Sequence, residues 1–355
     1  MHQPVFKGNE KKYLLDTIDS TFVSSVGEYV DKFESMVSNY TGSKYAIATT
    51  NGTSALHTAL ILADVEENDE VLTQSLTFVA TCNAISYCSA KPVFIDVDKD
   101  TLGMSPHSLL NFIESHTEVR NEECWNKKTN KRVKACIPMH NFGHPVKIDE
   151  IVSICKKYHI SVIEDAAESL GSFYNEKHTG SFAEMGILSF NGNKIITTGG
   201  GGMIITDDDD IAHRAKHLTT TAKKPHPWLF IHDEKGFNYR LPNINAALGC
   251  AQIEQLHLFL ESKRKIAKEY KEWFSRTEYK FFSEPDNAKS NYWFNSFFAS
   301  DRDERDELLE FTNEEEVMTR PAWTPMHKLK MYSECQRVDL DNTIWLEDRL
   351  INIPS

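Results

Sequence analysis

The stretch Met185–Thr206, MGILSFNGNKIITTGGGGMIIT, sets two short apolar runs on either side of a polar turn, one lysine and four consecutive glycines. Aliphatic runs of this length, bounded by Gly and Asn, are strand patterns. Glycine loses more conformational freedom on folding than any other residue, so a run of four, Gly199 to Gly202, belongs where the main chain must pass close to something else. The usual phosphate motifs do not explain it. Asn193 rather than glycine precedes Lys194, so there is no Gly-Lys-Ser/Thr, and no G-x-G-x-x-G spacing fits the run. The question is what chemistry needs Lys194 just beyond a strand end.

Working outward, the same strand pattern recurs from about residue 44 to 206, in KYAIATT (44–50), DEVLTQ (69–74), KPVFIDV (91–97), VKACIPM (133–139) and ISVIEDA (160–166). Between these runs lie helical patterns such as GTSALHTALILA (52–63) and KIDEIVSICKKY (147–158), in which Ile148, Ile151, Val152 and Cys155 fall at helical spacing. The alternation predicts an α/β domain with a mainly parallel central sheet flanked by helices. Ahead of it, GEYVDKFESMVSNYTG (27–42) reads as an amphipathic helix stopped by Gly42. The polar excursion His116–Arg132 reads as a surface loop or hairpin. After residue 245 the pattern changes to one long helix (244–274), an aromatic strand NYWFNSFF (291–298) and the charged run 301–316, read as a solvated helix face. With 355 residues, two domains are expected: a large α/β domain over 1–245 and a small α+β domain over 246–355.

Lys and Arg number 39 against 52 Asp and Glu, a net charge of −13, which argues against nucleic-acid and anionic-membrane partners. No apolar run approaches the roughly 18 residues of a membrane span, and MHQPVFKGNEKK (1–12) lacks the apolar core of a signal peptide, so a cytoplasmic location is expected. The seven cysteines include no C-x-x-C pair, which fits reduced thiols and no structural metal.

Ligands in open α/β sheets lie beyond the carboxyl ends of the strands. Asn51-Gly52-Thr53-Ser54 follows YAIATT and opens a helix, where N–H groups and hydroxyls suit a phosphate. Phe78 follows EVLTQ, Asp165 ends ISVIED, Ser189 ends MGILS, and Lys194 comes five residues later. A lysine, an acid, an aromatic and a phosphate cup at successive strand ends match the needs of pyridoxal 5′-phosphate: a covalent link to its aldehyde, protonation of its ring nitrogen and stacking on its face. Each residue also has a plainer reading. Asp165 suits a helix cap, Thr53 and Ser54 a helix start, Phe78 the core and Lys194 the surface, but their joint occurrence in this order favours the cofactor.

The stretch VIEDAAESLGSFYNEKHTGSFAEMGILSFNGNKIITTGGGGMIITDD (162–208) resembles the core of the DegT/DnrJ/EryC1/StrS family of sugar aminotransferases, a fold-type I pyridoxal-phosphate group. The likeness spans nearly the whole chain, through FVSSVGEYVDKFE (22–34), TTNGTSALHTAL (49–60), TFVATCNAI (77–85), PMHNFGHPVKIDEI (138–151), GFNYRLPNINAALGCAQIEQL (236–256) and RPAWTPMH (320–327). The resemblance implies that Lys194 carries the cofactor, Asp165 pairs with its ring nitrogen, Phe78 stacks on it, and Thr53, Ser54 and Ser189 hold its phosphate. It implies a homodimer with shared active sites, in which Asn238 of GFNYR reaches the partner's cofactor phosphate. Trp323 and His327 become substrate-binding residues, glutamate the amino donor and a nucleotide sugar the acceptor.

At position 168 the family's commoner residue is Gln or His, a donor to the cofactor's phenolic oxygen. Glu168 must instead be protonated, turned away or paired with a cation, unless it is a solvent-facing helix residue. The first thirty residues and DAAESLGS (165–172) resemble family members acting on UDP-linked 4-keto-6-deoxy-N-acetylhexosamines for legionaminic-acid or bacillosamine-type glycans, which implies UDP-2-acetamido-2,6-dideoxy-hexos-4-ulose as substrate. Two other readings stand beside it, a sugar dehydratase and a non-catalytic cofactor-binding regulator of the same fold. Related dehydratases carry histidine in place of the lysine, so Lys194 speaks for transamination. A nucleotide-binding dehydrogenase is disfavoured by the missing glycine fingerprint.

Overall fold

The computed structural model describes residues 3–355; Met1 and His2 of the N-terminal stretch read above lie outside the described residues. Its main sheet runs, in spatial order, through the strands Tyr45–Thr49, Gly202–Thr206, Met185–Ser189, Ser161–Asp165, Lys131–Ile137, Glu70–Gln74 and Lys91–Ile95. Gly202–Thr206 is antiparallel to both neighbours, and the other pairings along this path are parallel. The mainly parallel sheet is therefore present, with its antiparallel strand at the segment after the glycines. The excursion 116–132 is a hairpin, Thr117–Arg120 with Glu123–Asn126, which adds to the start of the strand Lys131–Ile137.

Sheet strands covered on both faces read as continuous apolar runs, as these do. Ile187 and Ile204 pack with Ala55, Leu56, Leu60 and Ala215 on one face. Leu188, Met203 and Ile205 point the other way, onto Phe33, Val37, Ala246 and Cys250. The strand period of two thus sends neighbours to opposite cores.

The helix expected over 244–274 is two helices, Asn243–Ile253 and Leu256–Phe274, separated at Glu254 and Gln255. The first is buried around most of its girth against the helix Glu28–Thr41, where a Cβ on Gly249 would lie 2.8 Å from the Phe33 ring. The second is amphipathic and sends Ala267 and Phe274 under a small antiparallel sheet of Lys280–Phe281, Asn295–Phe298, Leu350–Ile353 and Arg320–Pro321. The two surfaces to be covered differ in direction, and the chain turns between them. Residue 245 falls in the first helix, on the large sheet's side of that turn. The charged run forms the helix Arg302–Glu314, with only Arg305 buried. A three-stranded sheet of Phe173–Tyr174, Lys177–His178 and Ala288–Lys289 ties the two parts together. All seven cysteines are free thiols, and among the described residues no helix is long and apolar enough to cross a membrane.

Candidate active site

A cavity of about 640 Å³ opens where the carboxyl ends of the main strands face the small sheet, and Thr53, Phe78, Asp165, Glu168, Ser189, Lys194 and Trp323 line it. One end is the start of the helix Gly52–Leu62. Asn51 caps it, taking the Ser54 N–H on Oδ1 at 2.8 Å and the Ala55 N–H on its carbonyl at 3.2 Å. Helix geometry gives the first N–H groups no intrahelical acceptor, so those of Gly52 and Thr53 are left for a ligand, with the positive end of the helix dipole behind them.

The glycine run finds its reason here. A Cβ on Gly202 would stand 2.4 Å from the carbonyl carbon and oxygen of Asn51, so this strand presses on the helix start as only glycine permits. Gly199 has a φ of +80°, in the left-handed region. The loop between is closed on itself, Phe190 N–H donating to Gly201 O and Thr198 N–H to Phe190 O, both at 2.9 Å. Lys194 is held within this loop, its N–H donating to Asn191 O at 3.0 Å. The Trp293 indole N–H donates to Asn193 O at 2.6 Å, and its ring lies 4.0 Å from Lys194 Nζ.

At the other end, Asp165 closes its strand. The strand end is fixed by Asp165 N–H to Pro138 O at 2.9 Å and His140 N–H to Asp165 O at 3.1 Å. Beneath it, the Glu164 carboxylate accepts from the N–H groups of Gly180, Phe182 and Ala183 and contacts His140 Nε2 at 3.1 Å. Because His140 Nδ1 accepts the Val146 N–H, Nε2 carries the proton and donates. The Asp165 carboxylate accepts from the Thr81 hydroxyl at 2.8 Å and the Ala167 N–H at 3.3 Å. Burial pushes its carboxyl up, partly offset by the Thr81 hydrogen bond. Among the described residues no cation lies within ion-pair distance of it.

Glu168 is buried in a turn, not solvent-facing on a helix. Its Oε1 pairs with Lys194 Nζ at 3.0 Å and its Oε2 accepts the Phe142 N–H at 2.9 Å. Burial raises its carboxyl, against the pull of the Lys194 charge. Of the arrangements open to it, pairing with a cation is the one found. Asp165 and Glu168 thus bring two carboxylates to the cavity wall beside the Lys194 ammonium. Phe78 is 48% exposed rather than in the core, its ring 6.2 Å from that of Trp323, which stacks in turn on Phe142 at 4.7 Å. Lys194, with a side chain only 13% exposed, is no surface lysine.

Three expected residues stand off the cavity wall. Ser54 lies about 100° further round the helix than Thr53. Its hydroxyl is engaged with Asn51 O at 2.8 Å, Asn51 N at 3.2 Å and Thr50 Oγ1 at 3.0 Å, so it closes the helix cap instead of facing a phosphate. His327 is turned to Ser75, Nδ1 to Oγ at 2.8 Å. Asn238 is exposed and accepts from Arg240 Nε and Nη2 at 3.1 and 2.9 Å, outside its own chain's cavity. Sequence reasoning missed Trp293, Phe142 and Thr81. The aromatics were indistinguishable from core residues, and Thr81 was legible only as a polar residue one turn after Phe78.

A buried carboxylate lacking a cation, a lysine at the cavity floor, an exposed aromatic and a glycine-lined helix start fit pyridoxal phosphate, and with this fold they define a fold-type I pyridoxal-phosphate transferase. The chain belongs to the DegT/DnrJ/EryC1/StrS aminotransferase family, whose model matches residues 4–355. It is similar to the GDP-perosamine synthase of Escherichia coli O157:H7, 37% identical over 334 residues, which cover 94% of this chain and 87% of that protein. The GDP-perosamine synthase of Vibrio cholerae is 33% identical over 363 residues, covering 100% and 93%. Among solved structures, a DegT DnrJ EryC1 StrS aminotransferase from Brucella abortus superposes with a TM-score of 0.87 at 25% identity, covering 98% of this chain and 90% of that one. The chain is a pyridoxal-phosphate-dependent sugar aminotransferase.

Proposed function

We propose that this enzyme moves an amino group from glutamate to the C4 keto group of a nucleotide-linked 4-keto-6-deoxy sugar, UDP-2-acetamido-2,6-dideoxy-hexos-4-ulose, in the cytoplasm and for surface glycan biosynthesis. The observation that carries the reading is Lys194, its ammonium inside the cavity and paired with Glu168, between a phosphate cup and the buried Asp165. Thr53, Ser189 and the N–H groups of Gly52 and Thr53 would hold the cofactor phosphate. Asp165 would hold the proton on the ring nitrogen, and Phe78 would cover a face of the ring. When bound, the cofactor supplies an aldehyde that accepts the amino group and a ring that draws off electrons. Lys194 Nζ takes and returns the proton at the carbon bearing nitrogen, and delivery from its one face fixes the configuration at C4. Glu168 orients that amine and keeps it inside the cavity, while Trp293 and Trp323 narrow the space open to water. Asn238, exposed and outside its own chain's cavity, would serve the partner's cofactor in a homodimer.

A GDP-linked substrate is the second reading, favoured by the names of the similar proteins from Escherichia coli and Vibrio cholerae. The test loads the protein with cofactor and glutamate and offers UDP-, GDP- and dTDP-linked 4-keto-6-deoxy sugars, with product mass as readout. Replacement of the keto oxygen by an amine on the UDP sugar supports the first reading, and on the GDP sugar the second. Loss of a sugar hydroxyl without gain of nitrogen overturns both in favour of dehydration. Lys194→Ala should abolish amine formation.

A further inference from the structure

Trp293, on the cavity wall, is held by a lysine that does not itself line the cavity. Lys263, on the helix Leu256–Phe274, is 4% exposed and, among the described residues, the only buried lysine. Lysines without an ion pair are ordinary at a surface, but a strongly hydrated ammonium is seldom buried without a carboxylate. Here its one partner is a carbonyl: Nζ donates to Trp293 O at 3.2 Å. The titratable groups on the elements around it are committed elsewhere. Arg264, next on the helix, is held by Glu284 and by Ser290 O, and Glu261 and Lys265 are exposed. Tyr292, beside Trp293, takes the Glu284 N–H on its hydroxyl at 3.0 Å. On the loop of Asn193, Lys194 pairs with Glu168. Tyr40, of the helix Glu28–Thr41, is pushed up to about 12 by burial and stays neutral. With no charge to offset its burial, the Lys263 amine is pushed down to about 7.

Trp293 carries this contact into the cavity. Its peptide N–H donates to Asn291 Oδ1 at 2.8 Å, and Asn291 Nδ2 donates to Glu168 O at 2.8 Å. Its indole N–H holds the Asn193 carbonyl, and its ring lies 4.0 Å from Lys194 Nζ. We propose that Lys263 is a positioning residue for Lys194: it fixes Trp293, and through the indole the loop bearing the reactive amine, more firmly with its proton than without. A charged donor makes the stronger hydrogen bond to a carbonyl, so the hold weakens as pH rises through neutrality. The inference rests on the aminotransferase reading for the reaction that Lys194 serves.

The experiment compares loaded wild type with Lys263→Gln, which keeps a donor but no titrating proton, and Lys263→Met, which keeps neither; folding is checked by circular dichroism. One arm follows the cofactor absorbance on addition of glutamate. Lys263→Met should lower the maximal rate about tenfold at about pH 6, with the glutamate concentration for half-maximal rate unchanged, and Lys263→Gln should recover most of it. The ratio of wild-type to Lys263→Gln rate should fall between about pH 6 and about pH 9, whereas a flat ratio, or a Lys263→Met rate equal to wild type, overturns the proposal. The other arm is melting. The folded state prefers the amine, so wild type gains stability as pH rises from about 7 toward the ordinary value of 10.5, and any lead of Lys263→Met in melting temperature shrinks over that range. A melting difference independent of pH also overturns the proposal. If wild type transfers no amino group from glutamate, the aminotransferase reading falls, and the rate at which pyridoxal phosphate attaches to Lys194, followed by absorbance, judges Lys263 by the same ratio.

Discussion

The Lys194 ammonium lies 3.0 Å from Glu168 Oε1, and the same carboxylate reaches the Phe142 N–H with its other oxygen. The lysine is therefore tethered to the turn after Asp165, 26 residues earlier in the chain, and the tether is a charge.

Replacing Glu168 separates charge from hydrogen bonding. Glu168→Gln keeps an acceptor for the Phe142 N–H but loses the charge, and Glu168→Ala loses both. Each variant should turn over more slowly than wild type, because the carboxylate that positions the Lys194 amine is gone. Only Glu168→Ala should also lose stability, by about 1–3 kcal/mol for a buried N–H left without a partner. Equal turnover rates for all three proteins would remove Glu168 from positioning of the lysine.

Asp165 gives a prediction about stability. Burial raises its folded-state carboxyl above the ordinary value of 3.8. The folded state thus keeps this proton to a higher pH than the unfolded state does. The associated stability is complete below that ordinary value and is lost as pH rises through the folded value. Asp165→Asn removes the loss, so the melting temperature of the cofactor-free variant should gain on that of wild type as pH rises above the ordinary carboxyl value. With cofactor the same variant should turn over slower by several orders of magnitude, since the ring nitrogen loses its counter-ion. A melting difference independent of pH would show that the carboxylate is not strained by burial.

The glycines separate by what surrounds them. Gly202→Ala would drive a Cβ to 2.4 Å from the Asn51 carbonyl, whereas the nearest atom to a Cβ on Gly200 is Thr50 O at 3.8 Å. The first should cost about 1–3 kcal/mol and weaken cofactor binding by displacing the helix start. The second should be neutral in both. Equal effects, measured by denaturant melts and cofactor titration, would mean that the helix start does not hold the phosphate.

The proposed homodimer with shared sites can be tested by hybrids. If Asn238 serves the partner's cofactor while Lys194 serves its own chain, mixed dimers of Lys194→Ala and Asn238→Asp carry one site with both lesions and one with neither. Refolding an equal mixture makes about half the dimers hybrid, so about a quarter of wild-type activity per site should return. Hybrids demonstrated by native mass spectrometry with no recovered activity would place both residues in one site of one chain.

Much of the site was legible because strand ends are local events. Asp165, Ser189 and Phe78 follow strands whose apolar runs are visible in the sequence, and each lines the cavity. The sequence by itself determined the alternation of strands and helices, the place of the glycine run and the order of the chemically active residues, since these depend on periodicity and backbone freedom along a few consecutive positions. Whether Ser54 or Thr53 faces the cavity depended on the rotation of one helix, and the break at Glu254–Gln255 on two surfaces that no local pattern describes. Only the tertiary structure decided that Gly202 abuts Asn51, that Glu168 is an ion-pair partner and that Arg320 from the small sheet joins the same cavity. Those relationships join residues far apart in sequence, and their energies arise from burial and charge that exist only once strands and loops distant along the chain are packed together.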